Sequence, residues 1–296
     1  MKKLLYLLIP AFLLGLLVGC AGPEAPQIAA TTLPVYEFTS RLCQGTGLTV
    51  GRLVTESVSC LHDYTLQVAQ MRMIESCDTV VISGAGLEEF LDDALADAPC
   101  IDASLGAHIH EGEGDHDHEH EQEHETDGHD HAHDPHIWLS PENAKIMAQN
   151  ICDGLCQTYP QDAEIFRGNL TSLLEDLDAL QAYGEASLAD LSCRELVTFH
   201  DGFAYFAESF QLTILRAVEE ESGSEASAAE LKALIGLVEE HALPAIFTEV
   251  NGSVSAADVI SAETGTAVYS LDMAMSGSSY FDAMYHNIDT VKEALG

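Results

Sequence analysis

The sequence predicts an α/β fold of two βα lobes with parallel sheets, joined by one long rigid helix. Three observations lead there. Short apolar or β-branched runs alternate with helical stretches from Ile28 to Asp102, and the same alternation returns from Glu195 to Leu295. Between them, Gln161 to Leu191 carries Leu and Ile at helical spacing and no strand signal.

Taken in order, the first lobe opens with a short buried strand over 28–32 and a helix over 34–45. A second strand is expected at 48–54, a helix at 64–76, and an apolar strand at 79–83 that ends on Gly84-Ala85-Gly86. A helix over 88–96 and a strand at 100–102 follow. Ser140-Pro141-Glu142 then reads as the start of a helix to about Tyr159, with Ser at the N-cap and Pro at the first helical position. The connecting helix spans some 28 residues, a rod of about 42 Å at 1.5 Å per residue. Its Leu and Ile positions 165, 170, 173, 174, 177, 180 and 188 mark the packed face. In the second lobe, strands are expected at 195–199, 213–218, 245–249 and 267–271, and helices at 203–210, 226–241, 254–264 and 279–295.

The ends and the composition narrow the function. Lys2 and Lys3 precede an apolar run from Leu4 to Val18, which is too short for a comfortable span and suits a secretory signal. Small residues lead into Cys20, so residues 1–20 are expected to be a lipoprotein signal peptide, with Cys20 the lipidated anchor. The boundaries that follow are an N-terminal lobe over 21–159, the connecting helix over 160–191, and a C-terminal lobe over 192–296. A net charge of −38 with only 11 Lys plus Arg argues against a nucleic-acid partner, which would need a basic face. Such a surface concentrates cations instead. Seven cysteines remain after Cys20 (43, 60, 77, 100, 152, 156 and 193), so at least one is unpaired within the chain. No CxxC pair offers a thiolate zinc knuckle.

Ten of the 14 histidines lie between 108 and 136, interleaved with eleven Asp and Glu. Residues 108–133 have no apolar periodicity and are expected to form a disordered insertion. Histidines 108 to 133 are expected either to bind metal loosely, gathering it near the ordered protein, or to be an inert solvated loop. The histidines that matter lie elsewhere. In open α/β sheets the ligand crevice lies beyond the carboxyl ends of the strands. His62 follows the strand ending at Val54 by a few residues. His200 follows directly on Leu196–Phe199, and Asp272 directly on Val268–Leu271; His136 stands just before a helix. Glu249, at a strand end, is either a partner of a ligand or a helix cap. Asp201 either orients a ligand imidazole or belongs to a turn. His241 and His286 read as structural.

These motifs resemble the cluster A-1 substrate-binding proteins of ATP-binding-cassette metal importers, the zinc and manganese receptors. The resemblance rests on LHDY at 61–64, DPHIWLSPENA at 134–144, VTFHDGFAYFAESF at 197–210, IFTE at 246–249 and AVYSLD at 267–272, in that order. It implies metal ligands at His62, His136, His200 and Asp272, two from each lobe, around one Zn²⁺. Family members with His at the third position are typically zinc receptors, whereas manganese receptors usually carry Glu there. One departure is SCLHDY, which has Leu61 where Pro commonly precedes the His and puts Cys60 two residues from a ligand. What the resemblance implies is a non-enzymatic, extracytoplasmic monomer, held at the cell membrane through Cys20, that delivers Zn²⁺ to a membrane permease. The alternatives are a receptor for Mn²⁺ or another divalent ion, a zinc-dependent hydrolase, and a surface zinc buffer without a transporter. A hydrolase needs an open metal position and a general base, and the sequence has no HExxH helix.

Overall fold

The structure, a computed structural model, describes residues 25–56, 61, 64–96, 98–110, 133–218 and 226–296. Cys20 with the expected signal peptide, Cys60, His62 and residues 111–132 lie outside the described residues.

The first sheet is built from β1 (Ile28–Ala30), β2 (Val50–Arg52), β3 (Thr79–Ile82) and β4 (Cys100–Asp102), in the order β2-β1-β3-β4, all parallel. All three residues of β1 are buried, as a central strand covered on both faces requires. The crossovers run through α1 (Leu33–Leu42), α2 (Val68–Ser76) and a short turn of helix, α3 (Asp92–Leu95). α4 (Pro141–Thr158) starts where the sequence places it: Ser140 Oγ accepts from the Asn143 N–H, and Pro141 needs no donor.

α5 (Ala163–Ser187) is the connecting helix, about 37 Å long at 1.5 Å per residue. Its buried face is Phe166, Leu170, Leu173, Leu177, Leu180 and Gly184, an alternating three–four spacing. Phe166 takes the place expected for Ile165, which is 38% exposed. Gly184 is required by contact, because a Cβ there would meet the Phe210 ring at 2.2 Å.

The second sheet repeats the plan with β5 (Glu195–Thr198), β6 (Thr213–Ala217), β7 (Ala245–Glu249) and β8 (Ala267–Leu271), in the order β6-β5-β7-β8 and parallel throughout. Its helices are α6 (Ala204–Ser209), α7 (Ala228–His241), α8 (Ser255–Thr264) and α9 (Tyr280–Leu295). No described helix is long and apolar enough to cross a membrane.

One apolar core runs through both lobes and includes Trp138, Phe166, Leu177, Phe206, Met273 and Tyr280. Trp138 is fully buried; its indole N–H donates to the Met273 carbonyl at 2.7 Å, and its own carbonyl accepts from Tyr280 O–H at 2.9 Å. Removing such a side chain costs about 3–5 kcal/mol. The lobes are thus locked together by packing as well as by α5.

Candidate metal centre

In each sheet the chain reverses its direction of travel between two strands, β1 and β3 in the first and β5 and β7 in the second. The carboxyl ends of such a pair open the crevice where α/β folds bind ligands. β5 ends at Thr198 and delivers His200, whose carbonyl is pinned by Thr198 Oγ1 at 3.0 Å. β7 ends at Glu249, which is 5% exposed.

His136 comes from the other lobe and is 4% exposed. Asp134 holds it twice. One carboxylate oxygen accepts from the His136 backbone N–H at 3.0 Å and lies 2.8 Å from its Nδ1. The first bond is the Asx turn that Asp favours two residues ahead of its partner. The His136 and His200 rings cross at 88° with their Nε2 atoms 3.4 Å apart. Glu249 Oε1 stands 3.0 Å from His200 Nδ1, close but poorly aligned for a hydrogen bond.

The electrostatics follow from these contacts. Asp134, 2.8 Å from His136 Nδ1, places the proton there and the lone pair on Nε2. The charge of Glu249 beside His200 Nδ1 favours the same tautomer in the second ring. Two lone pairs facing each other at 3.4 Å repel unless a cation lies between them. For a tetrahedral zinc with bonds near 2.0–2.1 Å, adjacent ligand atoms stand about 3.3 Å apart. The observed separation matches that edge. Burial disfavours the charged form of His200, but Glu249, Asp201 and Asp134 together outweigh it and raise the pKa above the ordinary histidine value. Asp201 itself is exposed and adds negative charge near the ring.

Gly202 leaves the rings their room. A Cβ at that position would lie 2.5 Å from Met273 Cε, 2.8 Å from His200 Cδ2 and 3.1 Å from His136 Cδ2.

Asp272 is set by its neighbour Asn287, which accepts from the Asp272 N–H and donates to its carbonyl, both at 2.7 Å. Its Oδ1 accepts from the Ala274 N–H at 2.8 Å, another Asx turn. Among the described residues Asp272 does not join His136 and His200 within 4.8 Å; the one set of three His, Cys, Asp or Glu donors that close is His108, His110 and Glu208. Leu61, just before His62, is buried in the shared core, and its carbonyl accepts from the Tyr64 N–H at 3.0 Å. His241 pairs with Glu195 at 3.0 Å, and His286 Nε2 lies 3.3 Å from the Ser270 carbonyl. The six described cysteines, 43, 77, 100, 152, 156 and 193, are free thiols. A surface hollow of about 560 Å³ lined by Cys193, Arg194, His241 and Pro244 opens at the amino ends of β5 and β7, the side away from His200.

Three features were missed in sequence. Asp134 was not singled out, although the DxH spacing is an Asx-turn signal. The expected loose histidines include His108 and His110, which the structure holds in place. Asn143 accepts from the His108 N–H at 2.9 Å and donates to its carbonyl at 2.8 Å. His110 stacks on Tyr205 at 4.2 Å. Glu208, the third, lies within the 197–210 motif but was given no role there.

The family described as the periplasmic zinc-uptake complex component A, ZnuA, matches residues 28–294. The chain belongs to this family. Among its relatives, the zinc-binding protein AdcA of Streptococcus pyogenes serotype M3 is 28% identical over 287 residues, 90% of this chain and 55% of that protein. The chain therefore spans about half the length of that relative. The high-affinity zinc uptake system protein ZnuA of Bacillus subtilis is 29% identical over 282 residues, 91% of this chain and 87% of that protein. A manganese-binding lipoprotein, MntA of Halalkalibacterium halodurans, is 26% identical over 252 residues, 79% of this chain and 77% of that protein. The crystal structure of the Zn(II)-bound ZnuA-like domain of Streptococcus pneumoniae AdcA superposes with a TM-score of 0.76 at 25% identity, covering 92% of this chain and 99% of that one. The ZnuA-type architecture, two parallel-sheet lobes on a long helix, is the one found here.

Proposed function

We propose that this chain is the receptor of a zinc importer, capturing Zn²⁺ between its lobes and passing it to a membrane permease of the ATP-binding-cassette type. The observation that carries this reading is the His136–His200 pair, two Nε2 atoms at a zinc-ligand separation with a carboxylate behind each ring. His62 and Asp272 complete the proposed set. Asp272 would reach the ion with the oxygen not bonded to Ala274, or by giving up that turn. Three neutral imidazoles and one carboxylate leave a net site charge of about +1, which suits a chain of this acidity. Four protein ligands leave no open position for a reacting water, which favours a carrier over a hydrolase.

Cys20 is proposed as the lipid anchor that keeps the receptor at the outer face of the membrane, where it works as a monomer. Asp134 and Glu249 are proposed to fix ring orientation and tautomer, with Asp201 adding negative field.

Imidazole donors favour Zn²⁺ over Mn²⁺, which prefers carboxylate, carbonyl and water oxygen. The match to a manganese-binding lipoprotein keeps Mn²⁺ as the second reading. Competition on the metal-free protein decides between them: Zn²⁺ should displace Mn²⁺ at equal concentration and bind one tight equivalent. Tight Mn²⁺ binding that Zn²⁺ cannot displace would overturn the zinc reading.

A further inference from the structure

We propose a second divalent-metal site at the root of the His-rich segment, formed by His108, His110 and Glu208 and taking a borderline transition ion of the Zn²⁺ type. It stands apart from the His136–His200 pair and does not depend on the receptor reading.

The donor atoms are already gathered. His110 Nε2 lies 2.7 Å from Glu208 Oε2 and His108 Nε2 lies 3.8 Å from the same oxygen, with all three residues' donors mutually within 4.8 Å. A tetrahedral zinc wants such edges near 3.3 Å. One distance must open by about half an ångström and the other close by as much, movements that the exposed His108 and Glu208 side chains make freely. The chemistry fits too, since two imidazoles and a carboxylate are a common zinc set.

The scaffold behind these donors is built rather than accidental. Ile109, between the two histidines, packs against the shared core. Asn143, 2% exposed, clamps the His108 backbone from both sides. Tyr205, fully buried, stacks under the His110 ring; its hydroxyl accepts from the His110 N–H at 2.9 Å and donates to the Asp134 carbonyl at 2.7 Å. The Asp134 N–H in turn donates to the His110 carbonyl at 3.1 Å. A side chain held this way has little left to lose in entropy when an ion binds.

Position gives the site a role. Glu208 lies on α6, the helix that follows His200, whereas both histidines come from the first lobe. The ion would therefore tie the two lobes. Asp134 belongs to both sites: its carbonyl holds Tyr205, and its carboxylate holds His136. Three protein ligands leave a coordination position open, so the ion exchanges readily. The site is a stopping place between the acidic segment and the cleft, not a store.

The test uses the full chain with His116, His118, His120, His124, His129, His131 and His133 replaced by serine, which removes the histidines of the segment itself. Co²⁺ is the probe, followed by calorimetry and by visible absorption. This parent should bind two Co²⁺ per chain. Glu208→Gln and, separately, His108→Asn should lose one equivalent or weaken it at least tenfold while the other ion stays as tight as in the parent. Adding His200→Ala to the parent should remove the tight ion and leave the root site. A parent that binds one ion, abolished by His200→Ala, would overturn the proposal. So would a second ion indifferent to both Glu208→Gln and His108→Asn. The His108 and Glu208 side chains are exposed enough that unchanged melting of the metal-free variants checks the fold.

Discussion

Two histidine pairs in this molecule use carboxylates in opposite ways. At His136 and His200 the carboxylates of Asp134 and Glu249 stand behind the rings, at Nδ1, and leave both Nε2 atoms facing one another. At His108 and His110 the carboxylate of Glu208 stands in front, at Nε2, where an ion would sit. Burial differs in part: the His136 and His200 side chains are 5% and 20% exposed, His110 is 25% exposed, and His108 and Glu208 are 67% and 59% exposed. A carboxylate behind a buried ring fixes the tautomer and aims the lone pair. A carboxylate in front of an exposed ring is itself a ligand, competes with water, and is screened by salt. As proposed, the first arrangement would be the tight, slowly exchanging site and the second the weak, fast one.

The largest expected effect breaks the first arrangement outright. His200→Ala or His136→Ala should weaken the tight Zn²⁺ by more than a hundredfold, measured by competition with a chelator, and leave the root site's Co²⁺ affinity unchanged. Loss of less than tenfold would mean the pair is not the main site.

The next tests address the carboxylates. Asp134→Asn and Glu249→Gln should each cost about 10–100-fold in Zn²⁺ affinity, the usual effect of removing an orienting partner. A pH profile separates this role from a merely structural one. Protonated His200 has no lone pair for metal, and its raised pKa makes affinity fall, on acidification, from a pH above that of an ordinary histidine. Glu249→Gln removes the strongest raising influence, so its acid limb should move to lower pH even though binding is weaker throughout. An acid limb that stays in place would show that Glu249 does not act through His200.

Gly202→Ala presses on both rings and on Met273, and a loss of roughly tenfold in the tight site is expected, with the root site untouched. Equal loss at both sites would point to a general disturbance of the lobe.

The smallest effect concerns stability rather than metal affinity. Glu88 is buried and accepts from Thr31 Oγ1 and the Ser83 and Gly84 N–H groups; burial pushes its pKa up to about 7. The folded state therefore holds a proton that the unfolded state releases, and Glu88 lowers stability as pH rises from about 4.5 to 7. Thermal melts should show a smaller loss between pH 5.5 and 8.5 in Glu88→Gln than in the parent chain. An identical slope in the two would remove Glu88 from the account.

Legibility in the sequence followed the range of the forces involved. β7, β8 and β4 match the apolar runs that announce them, and α5 follows from its three–four spacing. The edge strand β2 is only three residues because its sole neighbour, β1, is three residues long. α2 begins at Val68 instead of Tyr64 because Gln67 and Gln70 form a reciprocal cap there, while Tyr64 closes a turn on Leu61. That His136 and His200 would meet was legible from their places beside a helix start and a strand end, and the Asp134 turn could have been read from DxH. Glu208 could not. It lies in the 197–210 motif, but it meets His110 across 98 residues, and no local pattern pairs the two.

The central claim is that the Nε2 atoms of His136 and His200 share one zinc ion. Crystals of the Zn²⁺-loaded full chain, measured at the zinc absorption edge, test it most directly. The account predicts the strongest anomalous peak between the two rings, with Zn–N distances of about 2.0–2.1 Å to both. A strongest peak at His108, His110 and Glu208 or within 111–132, and none between His136 and His200, would contradict it.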